Sequence, residues 1–245
     1  MSHLRRSTLN ISEFKEYIRD KNILVVGNNL TAVEREQGEL IDSYDVVIRF
    51  GKGLPTGREK YLGSRTDVWV TGIFRKDMAH LVPKESIILY NNSVYFPEKA
   101  ATPSYGFLSM YTLNEINEIN SIYNQSKSKR LSSGAITAHW LYNEINTFKS
   151  ITFINFDFFQ QTTLYYDKKQ DTKNAASSWH LPIAVKKYMD LERPEVHPAH
   201  NPAAEKEVFQ DILHDKRAHF IGESIDTARI IEADNLAWDS IRVKL

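Results

Sequence analysis

Asn22-Ile-Leu-Val-Val-Gly-Asn28 and, further on, Ile41-Asp-Ser-Tyr-Asp-Val-Val-Ile-Arg49 are the segments whose reading decides the fold. The first is a short apolar run ending in Gly-Asn, the way a buried parallel strand meets the loop at its carboxyl end. The second repeats the pattern: a polar turn, a β-branched triplet and a charged residue at the tip. Between them, Leu30 to Leu40 has the length of one helix, with Glu34, Arg35, Glu36 and Glu39 on its wet side. Strand, helix and strand in this order make a βαβ unit with a right-handed crossover. In sheets of this kind the ligand sits beyond the carboxyl ends of the strands. Gly27, Asn28, Asn29, Arg49 and the Gly51-Lys-Gly53 turn are therefore expected around one crevice.

On the amino side, Ile11 to Arg19 reads as an amphipathic helix capped by Ser12, with Ile11, Phe14 and Ile18 as its apolar face; residues 1–20 then form an N-terminal helical segment. On the carboxyl side, Gly51 to Thr66 is rich in Gly, Pro and Thr and reads as a loop of defined shape. Asp67–Thr71 and Ser86–Tyr90 are further strands, and Asn91–Tyr105 is loop. Leu113, Ile116, Ile119 and Ile122 recur three apart, which predicts a helix over Thr112–Tyr123. Leu131-Ser-Ser-Gly-Ala135, continuing through Ile136 to Asn143, reads as a helix, and Ile151–Asp157 as a strand. Gln160 to Ser178 is polar around Tyr165-Tyr166 and suits a lid, so residues 160–200 form a lid or acceptor-loop region. Ala204–Leu213 reads as a helix and Ala218–Ile221 as a last short strand.

With 245 residues, 42% apolar and 25% charged, the chain fits one large α/β domain, or one with a helical annex. A formal net charge of zero argues against a general nucleic-acid binder. The absence of cysteine removes disulfides, thiolate metal sites and a cysteine nucleophile. No apolar run reaches the roughly 18–20 residues that span a bilayer. Met1 to Asn10 is polar and basic, without the apolar core of a secretory signal. The expectation is a cytoplasmic protein that touches the inner membrane peripherally through its Arg5-Arg6 end.

The chain has no G-x-G-x-x-G, no G-x-x-x-x-G-K-[ST] and no G-x-S-x-G, which sets aside nicotinamide, P-loop and serine-hydrolase readings. Asn28 either binds a nucleotide phosphate or ribose, or closes a turn. Ser132-Ser133-Gly134 at a helix amino end offers hydroxyls and backbone N–H groups to an anion, or is simply a cap. His197 and His200 have the spacing of a metal pair, but Pro198 and Pro202 break the helix that would align them; no metal site is expected. His200, in a loop before a helix, suits a general base, with Glu205 orienting the loop or stabilising the helix end. The alternative for His200 is a surface or satisfied histidine.

Taken in order, these pieces resemble a known family. Val25-Val-Gly-Asn28, Ile41–Arg49 and Gly57-Arg-Glu-Lys-Tyr-Leu-Gly-Ser-Arg-Thr66 are similar to the large sialylmotif of the sialyltransferases of glycosyltransferase family 29. Ser132-Ser-Gly134 through Phe153-Ile-Asn-Phe-Asp157 resembles their small sialylmotif. His200 with Glu205 matches the very small motif, and Trp179-His180 stands where the third motif lies. The resemblance implies a single Rossmann-like domain over 1–245, of the modified GT-A type, with a mostly parallel central sheet flanked by helices. It also implies a CMP-sugar donor, a glycan or glycolipid acceptor, and neither a cofactor nor a metal. Asn28 would contact the donor nucleotide, joined by Gly27, Asn29, Arg49 and Asp157. Ser132, Ser133 and Gly134 would cradle the CMP or the sugar carboxylate. His200 would be the base that deprotonates the acceptor in an inverting displacement, and His180 would stabilise the departing phosphate.

The chain departs from the family in three places. The animal enzymes join their two main motifs by a disulfide and carry a signal anchor. Neither feature is in this sequence, which suits a bacterial cytoplasmic relative that builds lipopolysaccharide or capsule. Two residues beyond Arg49, where the family usually has a donor-contacting Asn, this chain has Gly51. Kdo, carried like sialic acid as a CMP ester, is an alternative donor; a retaining Kdo transferase would call on Asp157 as nucleophile. A non-catalytic nucleotide-binding module is the other alternative.

Overall fold

The computed structural model describes residues 9–29, 32, 35–51, 53–71, 81–91, 108–123, 131–156, 158 and 200–222. They contain seven strands: β1 (Asn22–Val26), β2 (Val46–Phe50), β3 (Val68–Thr71), β4 (Ile87–Tyr90), β5 (Leu108–Ser109), β6 (Ser150–Ile154) and β7 (Ala218–Ile221). The helices are α1 (Ile11–Ile18), α2 (Gly38–Asp42), α3 (Glu59–Leu62), α4 (Leu113–Tyr123), α5 (Ser133–Trp140) and α6 (Pro202–Ile212). The strands form one sheet in the order β5-β4-β3-β2-β1-β6-β7, and every pairing is parallel. The α/β architecture read from the alternation of strands and helices is therefore present. The two-residue edge strand β5 lies in a stretch that has no strand pattern of its own.

A parallel sheet covered on both faces favours continuous apolar runs, and β1 and β2 supply them over Ile23–Val26 and Val46–Ile48. Ile23 and Val25 point into the larger core with Phe14 of α1, Ala135 and Ile136 of α5, and Val208 and Phe209 of α6. Leu24 and Val26 point the other way, with Val47, Ile154 and Ile41 of α2. The alternation along one five-residue strand thus feeds two separate layers. α5 runs on into a π-turn over Leu141–Ile145, closed by Asn146 in the left-handed conformation. None of the described helices is long and apolar enough to cross a membrane.

Three expectations need correction. The crossover between β1 and β2 is not a helix over Leu30–Leu40: residues 35–37 are irregular and helix begins only at Gly38. Packing decides this. A Cβ on Gly38 would lie 2.2 Å from the Glu59 carbonyl oxygen, so the short α2 presses directly on α3. Glu36, read as part of a wet helical face, instead pairs with Lys60 of α3 at 2.6 Å. The cap of α1 is Asn10, not Ser12. Its Oδ1 accepts from Glu13 N at 2.9 Å, while Asn10 N donates to the Glu13 carboxylate at 2.8 Å. Ile11 is 44% exposed, and Phe14 and Ile18 carry the burial. Finally, β6 stops at Ile154, short of the strand read over Ile151–Asp157, because Asn155 turns left-handed with φ at 61°. Ser132 caps α5, as its place at a helix amino end suggests: Oγ accepts from Ala135 N at 3.3 Å.

The segment before Thr66, expected to be loop throughout, contains the short helix α3 and holds its shape through two anchors. Asp42 accepts from Ser64 N, Ser64 Oγ and Arg65 N at 2.8–3.0 Å. Burial alone would raise its pKa, but these bonds outweigh burial and hold the carboxyl below its usual range. The second anchor is Arg49, fully buried, whose Nε donates to Arg65 O at 2.7 Å and whose Nη2 donates to Leu62 O. Leu62 and Arg65 belong to the segment that enters the amino end of β3, so Arg49 holds the protein's own backbone there. Replacing Arg49 with Met removes these donors and leaves buried carbonyls unmet, at a cost of about 1–3 kcal/mol. Urea denaturation of Arg49→Met measures this, and an unchanged midpoint would show that the guanidinium carries no structural load.

Candidate active site

The strand order reverses at β1: β2 to β5 extend to one side, β6 and β7 to the other. Where a parallel sheet reverses, the flanking connections leave in opposite directions and open a crevice beyond the carboxyl ends. The tips that meet there are Gly27-Asn28-Asn29 after β1 and Asn155-Phe156 after β6. Their backbones stay in contact past the strands. Gly27 N donates to Ile154 O at 2.8 Å, and Asn29 N to Asn155 O at 3.3 Å. This approach is possible because residue 27 is glycine; a Cβ there would stand 2.2 Å from Asn155 O and 3.0 Å from Phe156 Cγ.

Phe156 links this tip to the next element. A Cβ on Gly134, at the start of α5, would be 2.7 Å from Phe156 Cε1, so the ring lies between two residues without side chains. It makes edge contacts with Phe50 at the end of β2 and with Phe153 (6.2 Å between centroids in each) and a tilted contact with Phe209 of α6 (5.0 Å). On the β2 side, Asn28 Nδ2 donates to Phe50 O at 3.3 Å. Gly53 closes over the same carboxamide, since a Cβ on it would meet Asn28 Oδ1 at 2.0 Å.

The amino end of α5 is tied to α6 by a buried carboxylate. Ser132 Oγ donates to Glu205 Oε2 at 2.6 Å and Ser132 N donates to Glu205 Oε1. Glu205 is 2% exposed. Burial pushes its carboxyl up to about 7, against the lowering effect of the two Ser132 bonds. Glu205 stands in the first turn of α6, whose cap Asn201 accepts at Oδ1 from Ala203 N (3.2 Å) and Ala204 N (3.4 Å). Pro202 fills the first helical position, where no N–H is needed. His200, half-buried, immediately precedes that cap.

The structure thus gathers Gly27, Asn28, Asn29, Ser132, Ser133, Gly134 and Glu205 beyond the carboxyl ends of β1 and β6, with His200 next to the cap of the helix that carries Glu205. Arg49 is the exception among the described residues, engaged with Leu62 and Arg65 as set out above. Asp157, His180 and the region 160–199 lie outside the described residues. Among those described, no three His, Asp or Glu side chains gather as a group able to hold a metal ion. Asn155 and Phe156 are site residues that the sequence reading passed over as strand. The one sequence signal was the asparagine, a residue disposed to left-handed backbone, at the end of an apolar run.

The model for glycosyltransferase family 29 (sialyltransferase) matches residues 17–182 of this chain, more than half of it. Among solved structures, the chain is similar to a mammalian sialyltransferase in complex with Gal-beta-1-3GalNAc-ortho-nitrophenol. That match has 16% identity and a TM-score of 0.53, over 85% of this chain and 72% of that one. A second mammalian sialyltransferase structure matches at 15% identity and a TM-score of 0.51, over 89% of this chain and 81% of that one. At such identities the likeness is one of fold. No curated protein sequence matches the chain.

The buried carboxyl generates a prediction. Its native pKa of about 7 lies above the ordinary 4.5, so between those values the folded state binds more protons than the unfolded state. Stability from this group is therefore full below about pH 4.5 and is lost as the pH rises through 7, on the order of 3 kcal/mol in all. Glu205→Gln keeps an acceptor for Ser132 N and should flatten stability against pH across this window. Glu205→Ala should destabilise the fold at every pH. Equal pH profiles for wild type and Glu205→Gln would refute the assignment.

Proposed function

This chain belongs to glycosyltransferase family 29 and is a glycosyltransferase of the sialyltransferase type; from that premise we propose that it moves a sialic acid from its CMP ester to a glycan hydroxyl, with inversion and without a metal. What supports the reading is the clasp of Glu205 on Ser132. It ties the loop that carries His200 to a helix amino end, beside the crevice at the tip of β1. A glycan acceptor is supported by the neighbour crystallised with Gal-beta-1-3GalNAc-ortho-nitrophenol.

In this reading the donor phosphate meets the first backbone N–H groups of α5, which have no acceptor within the helix. Ser132 is occupied with Glu205 and Ala135, so Ser133 and Gly134 carry the anion. Asn28 and Asn29 hold the nucleotide at the tip of β1. The acceptor oxygen attacks the anomeric carbon as the bond from that carbon to the phosphate oxygen breaks, and CMP departs with the bonding electrons. The acceptor proton passes to the His200 imidazole. Because the anomeric carbon is tertiary and bears a carboxylate, the transition state has oxocarbenium character, and positioning with charge stabilisation does most of the work. Glu205 acts on this step through position alone: it holds His200 and Ser132 in register.

His200→Ala should retain CMP affinity and lose transfer by roughly 10²–10⁴-fold. A purified-protein assay with CMP-Neu5Ac and CMP-Kdo, with and without EDTA, measures it. Transfer from CMP-Kdo alone, turnover lost on chelation, or retained anomeric configuration by NMR would each overturn the corresponding part. Wild type that binds CMP and transfers from neither donor would establish a nucleotide-binding module.

A further inference from the structure

Two buried polar atoms at the reversal point have no hydrogen-bond partner among the described residues: the acceptor Asn28 Oδ1 and the donor Asn155 Nδ2. They belong to the tips of adjacent strands whose backbones touch, through Gly27 N to Ile154 O and Asn29 N to Asn155 O. Asn155 is 8% exposed and has left-handed backbone, with φ at 61°. Three residues on, Phe158 is also left-handed, with φ at 52°. Strain of this kind outside glycine gathers in segments that hold ligands.

The fold accounts for only half of Asn155. Its carbonyl accepts from Asn29 N and its φ sets the exit from β6. Glycine would supply that carbonyl and that φ without burying a carboxamide whose N–H₂ lacks an acceptor. The side chain therefore answers to something other than the fold. We propose that Asn155 is a donor-substrate-binding residue, its Nδ2 donating to an acceptor atom on the nucleoside half of the sugar nucleotide, while Asn28 Oδ1 accepts from the same half. The inference rests on the reading that a nucleotide ester occupies the crevice.

The chemistry of the pair selects the nucleoside over the phosphate. A phosphate in a sugar nucleotide offers acceptors only, so it cannot satisfy Asn28 Oδ1. A nucleoside offers both kinds: hydroxyl and exocyclic amino donors, with carbonyl, ring-nitrogen and ribose-oxygen acceptors. The position agrees. The Phe156 ring stands between Gly27, which touches Asn155, and Gly134, which opens the helix suited to the anion.

Asn155→Gly tests this cleanly, because glycine adopts the required φ and keeps the carbonyl. Titration calorimetry with CMP and with inorganic pyrophosphate, beside a thermal melt, gives the readouts. CMP affinity should fall roughly 5–10-fold, the loss of one buried hydrogen bond. Pyrophosphate affinity and the unfolding midpoint should not fall. Asn155→Asp, which turns the donor into an acceptor, should weaken CMP at least as much. CMP bound equally by wild type and Asn155→Gly would overturn the inference and leave the donor reading standing. A lowered midpoint with unchanged CMP affinity would assign the carboxamide to the fold. Wild type that binds no CMP would sink the donor reading, and this inference with it.

Discussion

The ring of Phe156 sits where two residues have no side chain, against Gly27 at the tip of β1 and Gly134 at the start of α5. That contact sets the distance between the sheet and the helix amino end, and the rest of the site is arranged around it. Through Phe50 the ring reaches β2, and through Phe209 it reaches α6. Four elements far apart in the chain are therefore referred to one aromatic side chain. Interiors are close-packed and do not yield to an added methyl without a shift, so the arrangement has little freedom.

A carboxyl that burial pushes up to about 7 fixes the second half of the site. Glu205 takes both the N–H and the hydroxyl of Ser132, and so α6 is joined to α5 at the end where both helices begin. A buried carboxylate of this kind is costly when charged, and two hydrogen bonds offset only part of that cost. The same contact that closes the fold thus leaves a titratable group in the first turn of the helix whose cap His200 precedes. Ser132 reads as an anion ligand or a cap in sequence, and in the structure it caps α5 and joins it to α6.

Much of this was legible in the residues. β1, β2 and β6 announced themselves because a strand buried on both faces must be apolar throughout, and Ile23 to Val26 and Val46 to Ile48 are. Ser132-Ser-Gly134 announced a helix start because hydroxyls there meet orphan N–H groups. The failures have one cause. The charges from Glu34 to Glu39 look like the wet face of a helix, but Glu36 binds Lys60, and Gly38 is held under the Glu59 carbonyl. Arg49 looks like a charge at a strand tip, but its partners Leu62 and Arg65 follow it by thirteen and sixteen residues. Ser12 is as good a cap by type as Asn10; only the reciprocal bond with Glu13 separates them.

By itself, then, the sequence determined the parallel sheet, most of its strands, and the family, because apolar periodicity and motif order are properties of the chain read along its length. Tertiary structure alone decided that Arg49 faces inward, that burial raises the Glu205 carboxyl, and that Asn155 brings an amide with no partner among the described residues to the tip of the strand that Asn28 follows. Each of those depends on which distant backbone comes within about 3 Å, the range of a hydrogen bond, and no local pattern encodes that distance.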